Sequence, residues 1–251
     1  MVKLLEIKIF TVPNLPIINE GDNIADAILK ASENLDLHDG DIVVIAHTIV
    51  SRAEGRVLHL SEITPSTFAE HYARIGDKDP RQVESVLREA KSLVRMSPTV
   101  LITETQHGFI CANSGVDRSN SIGDSVILLP VDPDESARRI HKQLTRKTSL
   151  RLGIIISDTF GRPFRVGTTN VALGLAGVLA LEDFRGRTDL FGKELKSTIV
   201  ARADELACAA GLVMGQADEG TPVVVIRGAS TFLGQGEASE LLREPAQDVF
   251  R

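Results

Sequence analysis

Tryptophan is missing from this chain, and aromatic residues of any kind make up only 4% of its 251 residues. Stacking platforms for single-stranded nucleic acid need such rings, which argues against that class of ligand. Positive charge is also short: 28 Lys and Arg stand against 34 Asp and Glu, a formal net charge of −6. No global basic field draws nucleic acid or anionic lipid. An anionic substrate must therefore meet a local arginine cluster or a bound metal. The two cysteines, Cys111 and Cys208, form no C-x-x-C pair. That spacing excludes a disulfide scaffold or zinc ribbon and suits a reducing cytoplasm. Met1–Glu6 carries no signal-type apolar segment. The longest apolar stretch, Val171 to Leu181, contains two glycines and is too short to cross a bilayer. A cytoplasmic protein with no membrane and no nucleic-acid partner is expected.

What is present is an alternation of strand-like and helix-like segments. Runs at Glu6–Val12, Asp41–Ala46, Val100–Thr103, Ser125–Leu129, Gly153–Ser157 and Pro222–Arg227 are apolar and often β-branched, as in strands covered on both faces. Helical spacing recurs in Ile24, Ala27, Ile28 and Ala31. It recurs again in Val83 to Val94 after an Asp79-Pro80 start, and in Ala137, Ile140 and Leu144 after Asp132-Pro133. It recurs over Glu194 to Met214, the longest predicted helix. No repeat or linker divides the chain, so residues 1–251 read as one α/β unit with mixed sheets and flanking helices.

Familiar site motifs fail on spacing. Gly186 to Glu194 has five residues between its glycines, and Glu194 where a P-loop needs Ser or Thr. Gly234-Gln235-Gly236 lacks the third glycine of a dinucleotide fingerprint. The six histidines show no metal-ligand spacing, and no G-x-S-x-G is present.

The most telling segment is Ile154 to Gly167. An apolar run ends in Asp158 and Thr159, and a Gly/Pro turn follows with Arg162 and Arg165. Asp158 stands at the carboxyl end of a predicted strand, where open α/β sheets place ligands. Its carboxylate and the Thr159 hydroxyl suit a hard cation; it equally suits an Asx-turn before Gly161. Asn113 to Asn120 is a second polar knot, with Asp117 as a further carboxylate and Asn120 as an amide, or else a surface loop. Met214-Gly215-Gln216-Ala217-Asp218-Glu219-Gly220-Thr221 could bring backbone N–H groups to a phosphate, or be a plain helix-to-strand turn. Leu15-Pro16-Ile17-Ile18 could hold a purine ring or pack on the core.

Together these segments, with Ser51 to Arg56, Gly186 to Gly192 and Val223 to Gly228, resemble the coenzyme F420-0:L-glutamate ligase family in order and spacing over nearly the whole chain. The resemblance implies a two-lobed α/β homodimer outside the P-loop and Rossmann classes. It implies GTP-dependent joining of L-glutamate to F420-0, with a further γ-linked glutamate in stand-alone members, giving GDP and phosphate. Mg²⁺ or Mn²⁺, as a pair of ions, and K⁺ are the implied cofactors. Carried over position by position, Asp117, Asp158, Thr159 and Gln216 are the implied metal ligands. Leu15, Pro16, Ile17, Ile18, His47, Thr48, Arg52, Asn120 and Met214 to Thr221 are the implied GTP contacts. Three positions depart from the family pattern: Arg52 where Lys is common, His47 where a small hydroxyl or amide is common, and Gln216 where some members have Glu. No C-terminal nitroreductase-like domain is expected.

Local chemistry adds Arg162 and Arg165 as candidates for the acceptor carboxylate or the transferring phosphoryl. Two rivals use the same residues: a metal-dependent GTP phosphohydrolase acting on another substrate, and a non-catalytic deazaflavin-binding module.

Overall fold

The computed structural model describes residues 6–33 and 35–249; the signal-segment reading of Met1 to Leu5 lies outside them. The chain opens with β1 (Lys8–Thr11), α1 (Ile24–Ala31), β2 (Ile42–Ala46) and α2 (His47–Ala53). It continues through β3 (Val57–His59), α3 (Thr67–Gly76), α4 (Pro80–Glu89), β4 (Ala90–Met96), β5 (Leu101–Thr105), β6 (Ile110–Ala112) and β7 (Ser125–Ile127). Then come α5 (Pro133–Thr148), β8 (Gly153–Arg162), β9 (Arg165–Ala176), β10 (Leu181–Asp183), β11 (Ile199–Ala201), α6 (Arg202–Met214) and β12 (Val223–Arg227). The expected α/β architecture of mixed sheets and flanking helices is the observed one.

The main sheet runs β1-β12-β2-β8-β9, with β2 and β8 parallel and the other neighbours antiparallel. Its central strands are apolar throughout because helices cover both faces. Val43, Ile45, Ile154, Ile156, Val223 and Val225 meet α1, α2 and α5 on one side. Ile42, Val44, Ile155, Val224 and Ile226 meet α6 on the other. α1 and α5 start as their sequences direct: Asn23 caps Asp26 N–H, and Asp132 caps Glu135 N–H with Pro133 next.

Between α2 and α5 the chain builds a second core. Leu60, Tyr72, Val83, Val86, Leu101, Val126 and neighbours join α3, α4, the β4-β5-β6 sheet and the β3-β7 pair. Phe109, Leu129, Leu173 and Ala238 pack where this region meets β9.

Two predicted helices are shorter than their apolar spacing implies. The segment starting at Pro80 stops at Glu89, and Ala90 to Met96 turns into β4 against β5, with two bulges in the register. The Glu194–Met214 helix begins only at Arg202. Leu195 instead exchanges backbone bonds with Gly186 and Arg187, and Ile199–Ala201 pairs with β10. Strand pairing overrode local propensity in both places. The rejected Gly186–Glu194 stretch lies in the connection between β10 and β11. Among the described residues no helix is long and apolar enough to cross a membrane.

Candidate active site

The parallel register of β2 and β8 creates the site. Ala46 and Ser157 are the last paired residues. One step further, β2 gives way to α2 at His47 and β8 runs on to Asp158. Those two side chains therefore meet, with His47 Nε2 3.4 Å from Asp158 Oδ1. Asp158 Oδ1 also accepts the Thr159 N–H at 2.7 Å. His47 is buried, and its Nδ1 lies 3.4 Å from Ser51 Oγ. Burial opposes a charge on the imidazole, but the Asp158 charge, its hydrogen bond and the more distant Asp117 charge outweigh that and hold His47 above its ordinary pKa.

Asp117 reaches the same place from the second core. Asn113, Ser114 and Gly115 all take positive φ, and this tight turn redirects the chain after β6. Asp117 then exchanges two backbone bonds with Ile127. Its carboxylate accepts the Ser119 N–H and hydroxyl. α6 supplies the third wall, ending at Met214 with Gly215 at φ +78°.

These walls enclose two adjoining cavities. The first, about 280 Å³, is lined by His47, Thr48, Asp117, Ser119, Asn120, Asp158, Thr159 and Gln216, among others. The second, about 320 Å³, is lined by Leu15 to Ile18, Arg52, Ala217 and Glu219 to Pro222, among others. Ala46, Thr48, Asn120, Met214 and Gly215 line both. An Arg52 guanidinium N–H donates to the Asn120 carbonyl across the seam. One chamber is polar and acidic, and its neighbour is edged by aliphatic side chains.

Every implied GTP contact borders one or both cavities except Asp218, and every implied metal ligand borders the first. His47 lies in the polar chamber against Asp158, not in the aliphatic one. Arg162 and Arg165 border neither. They face each other across the two-residue tip of the β8–β9 hairpin, where Arg162 donates to the Val166 carbonyl at 3.1 Å. Sequence reasoning missed Ser119, Ser157 and Asn170, which also line the first cavity. Asn170 had one signal: Asn is uncommon inside a β-branched strand such as Thr168 to Val171.

Among the described residues no three His, Cys, Asp or Glu side chains gather as a metal site. The donors that do gather in the chamber are two carboxylates, a hydroxyl and an amide. Such hard oxygens fit Mg²⁺ or Mn²⁺ of the kind completed by water and substrate phosphates.

Comparison with known proteins matches the same span. Residues 13–228 match the F420-0:Gamma-glutamyl ligase family. A protein of Methanopyrus kandleri named coenzyme F420:L-glutamate ligase is 50% identical over 93% of both chains. Proteins of the same name from Methanocaldococcus jannaschii and Archaeoglobus fulgidus are 50% and 40% identical, covering 94% and 98% of this chain and 94% and 97% of their own. The chain therefore belongs to the F420-0:gamma-glutamyl ligase family.

Proposed function

We propose that this chain forms an amide between L-glutamate and the carboxylate of coenzyme F420-0 at the expense of GTP, then adds further γ-linked glutamate to the product. The reading treats residues 1–251 as one catalytic unit that works as a homodimer. The observation that carries it is the joined pair of cavities, in a chain of this family. The aliphatic chamber at Leu15–Ile18 suits a purine ring, and the acidic chamber beside it suits a triphosphate escorted by cations.

A carboxylate acylates poorly because oxide is its leaving group. In the proposed sequence a carboxylate oxygen attacks the γ-phosphorus of GTP, and the bond to GDP breaks. The acyl phosphate then meets the glutamate amine: the C–N bond forms, the C–O bond to phosphate breaks, and phosphate leaves with the electron pair while the nitrogen gives up a proton. Asp117, Asp158, Thr159 and Gln216 are the residues that would hold Mg²⁺ or Mn²⁺, with K⁺ as an accessory ion. Bound metal would offset triphosphate charge and the charge built up in transfer. His47 fixes the Asp158 carboxylate from behind, and Arg52 tethers the Asn120 turn over the nucleotide. Thr48, Gly215 and the Met214–Thr221 loop form the seam through which a nucleotide would extend from one chamber to the other. Arg162 and Arg165, at the hairpin tip, remain candidates for the acceptor carboxylate or transferring phosphoryl.

Product mass spectrometry tests the reading. Purified protein with F420-0, GTP, Mn²⁺ and glutamate is expected to yield F420 species heavier by one or more glutamyl units, with GDP and phosphate. Asp158→Asn is expected to abolish this product while keeping the thermal midpoint. Phosphate without glutamylated product points to a GTP phosphohydrolase; deazaflavin binding without either points to a passive binding module. Full turnover in Asp158→Asn would refute the metal role of that carboxylate.

A further inference from the structure

We infer that the side-chain amide of Asn170, with the Ser157 hydroxyl beside it, donates hydrogen bonds to an anionic oxygen at the reacting centre. That oxygen belongs to the carboxyl group being activated or to the phosphoryl being transferred. The inference rests on the ligase reading above and assigns two residues beyond it.

Register puts the pair in place. Thr159 and Asn170 are direct partners across β8 and β9, and Ser157 pairs with Ala172 two residues on. Ala172 packs into the α6 core. By strand alternation Ser157, Thr159 and Asn170 share that α6 face of the sheet. Ser157 and Asn170 are 1% and 7% exposed, and both line the acidic cavity.

Neither side chain has a hydrogen-bond partner among the described residues. Ser157 Oγ is buried without a hydrogen bond. Asn170 accepts the Cys208 thiol through its backbone carbonyl at 3.1 Å, while its side-chain amide bonds to none of the described residues. A buried polar group left unsatisfied is costly, so Ser157 Oγ, with the unbonded Asn170 amide on the same cavity wall, marks a place where a ligand or ordered water completes the set.

The fold also makes room for the amide. Gly211 lies in the interior of α6, and a Cβ there would come within 2.2 Å of Asn170 Oδ1 and 2.8 Å of its Cγ. Glycine inside a helix is destabilising relative to alanine. The helix thus gives up stability where Gly211 faces this side chain. With Oδ1 against Gly211, the Nδ2 end is left for the cavity.

The chemistry follows from what surrounds it. Apart from His47, the ionisable side chains of the chamber are Asp117 and Asp158, which when ionised only accept. A phosphoryl or carboxyl oxygen entering there needs donors that add no competing charge. A neutral amide and hydroxyl, held beforehand by a strand pair, supply them at no reorganisation cost.

Asn170→Leu keeps a branched side chain of similar shape against Gly211 and removes the donor without adding a charge to the acidic chamber. It is expected to lower the turnover of glutamylation by about 100-fold, as loss of one preorganised donor does, with an unchanged thermal midpoint. Gly211→Ala should lower turnover likewise by displacing the amide. Asn170→Ala with Gly211→Ala should match Asn170→Ala alone, because the displaced group is already gone. Titration with GTPγS and Mn²⁺ separates the two oxygens. Weaker GTPγS binding in Asn170→Leu assigns the contact to the phosphoryl, and unchanged binding with lost turnover assigns it to the carboxyl group. Wild-type turnover together with wild-type GTPγS affinity in Asn170→Leu would overturn the inference. Should the unaltered protein make no glutamylated product, the ligase reading fails by itself. The GTPγS comparison then decides alone: weaker binding in Asn170→Leu supports the contact, and equal binding overturns it.

Discussion

Gly215→Ala concentrates its effect on the seam between the two chambers. Gly215 lines both cavities and closes α6 with φ +78° and ψ 179°. That backbone region is open almost solely to glycine, and another residue there costs about 1–3 kcal/mol. A Cβ would also stand 2.2 Å from Glu219 Cδ and 2.4 Å from its Oε2. That carboxylate latches the loop by accepting the Ala217 N–H at 2.7 Å. The N–H groups of Ala217, Glu219 and Gln216 hold its pKa below the ordinary range. Alanine cannot keep both the backbone angle and the latch, so the 215–221 loop must shift. The loop is largely exposed, and the buried sheet beneath it keeps its contacts.

The strain should therefore appear in nucleotide affinity more than in global stability. At 1.4 kcal/mol per decade, 1–3 kcal/mol weakens binding roughly 5- to 140-fold. Isothermal titration with GDP and Mn²⁺ measures it, alongside a calorimetric melt expected to stay close to that of the unaltered protein. Gly215→Ala combined with Glu219→Ala removes the collision but leaves the backbone strain, so it should recover only part of the loss. Unaltered affinity in Gly215→Ala would refute the assignment of this loop to nucleotide binding.

Arg227→Met tests the sheet end. Asp41 is fully buried and receives two bonds from Arg227, Nε to Oδ1 at 2.9 Å and Nη2 to Oδ2 at 2.8 Å. Leaving that carboxylate unpaired should cost about 3 kcal/mol, the low end for a buried pair because Arg227 keeps partial water contact. Urea midpoints check it, and Arg227→Met with Asp41→Leu should recover most of the loss; an unchanged midpoint for the single variant contradicts the pairing. Cys111 tests the wall behind the chamber. Burial, with the Asp158 charge as a second cause, pushes its thiol up to about 12. At pH 8 the thiolate fraction is on the order of 10⁻⁴; burial raises the half-buried Cys208 thiol as well, so iodoacetamide should label Cys208 slowly in the native protein and Cys111 only after unfolding. Peptide mass spectrometry reads this out, and equal labelling of both would contradict the burial.

The central strands were legible because burial on both faces writes an unbroken apolar run, as in Ile42–Ile45, Ile154–Ile156 and Val223–Ile226. α1 and α5 were legible through their caps. β4 and β11 were not, since short, partly exposed strands carry no periodicity of their own and exist through their partners. At the site, turn and ligand readings of each segment looked like rivals, and the structure makes them compatible. Asp158 accepts the Thr159 N–H and borders the chamber; Asp117 accepts Ser119 and borders it too. A carboxylate has lone pairs enough for a backbone donor and a ligand together. Asn170 shows in the chain only as an unusual residue for a strand, because its meaning depends on Gly211, 41 positions away in the numbering and on a different element.

The charge deficit visible in composition recurs at the centre of the molecule in sharper form. Among the described residues no lysine or arginine lines the first chamber, and two carboxylates do. His47 lines it as well, 3.4 Å from Asp158, which holds its pKa above the ordinary value. Two like charges 4 Å apart at an effective dielectric near 20 repel by about 4 kcal/mol, so a triphosphate cannot share this chamber with Asp117 and Asp158 alone. On the proposed reading, cations would arrive with it. Arg52 stands at the far seam, and Arg162 and Arg165 stand at the hairpin tip outside both cavities. Divalent metal is the proposed source, since the chamber's own oxygen donors would hold it where the phosphates would lie. On the proposed reading, metal would be needed for nucleotide entry as well as for phosphoryl transfer, because the chamber itself is acidic.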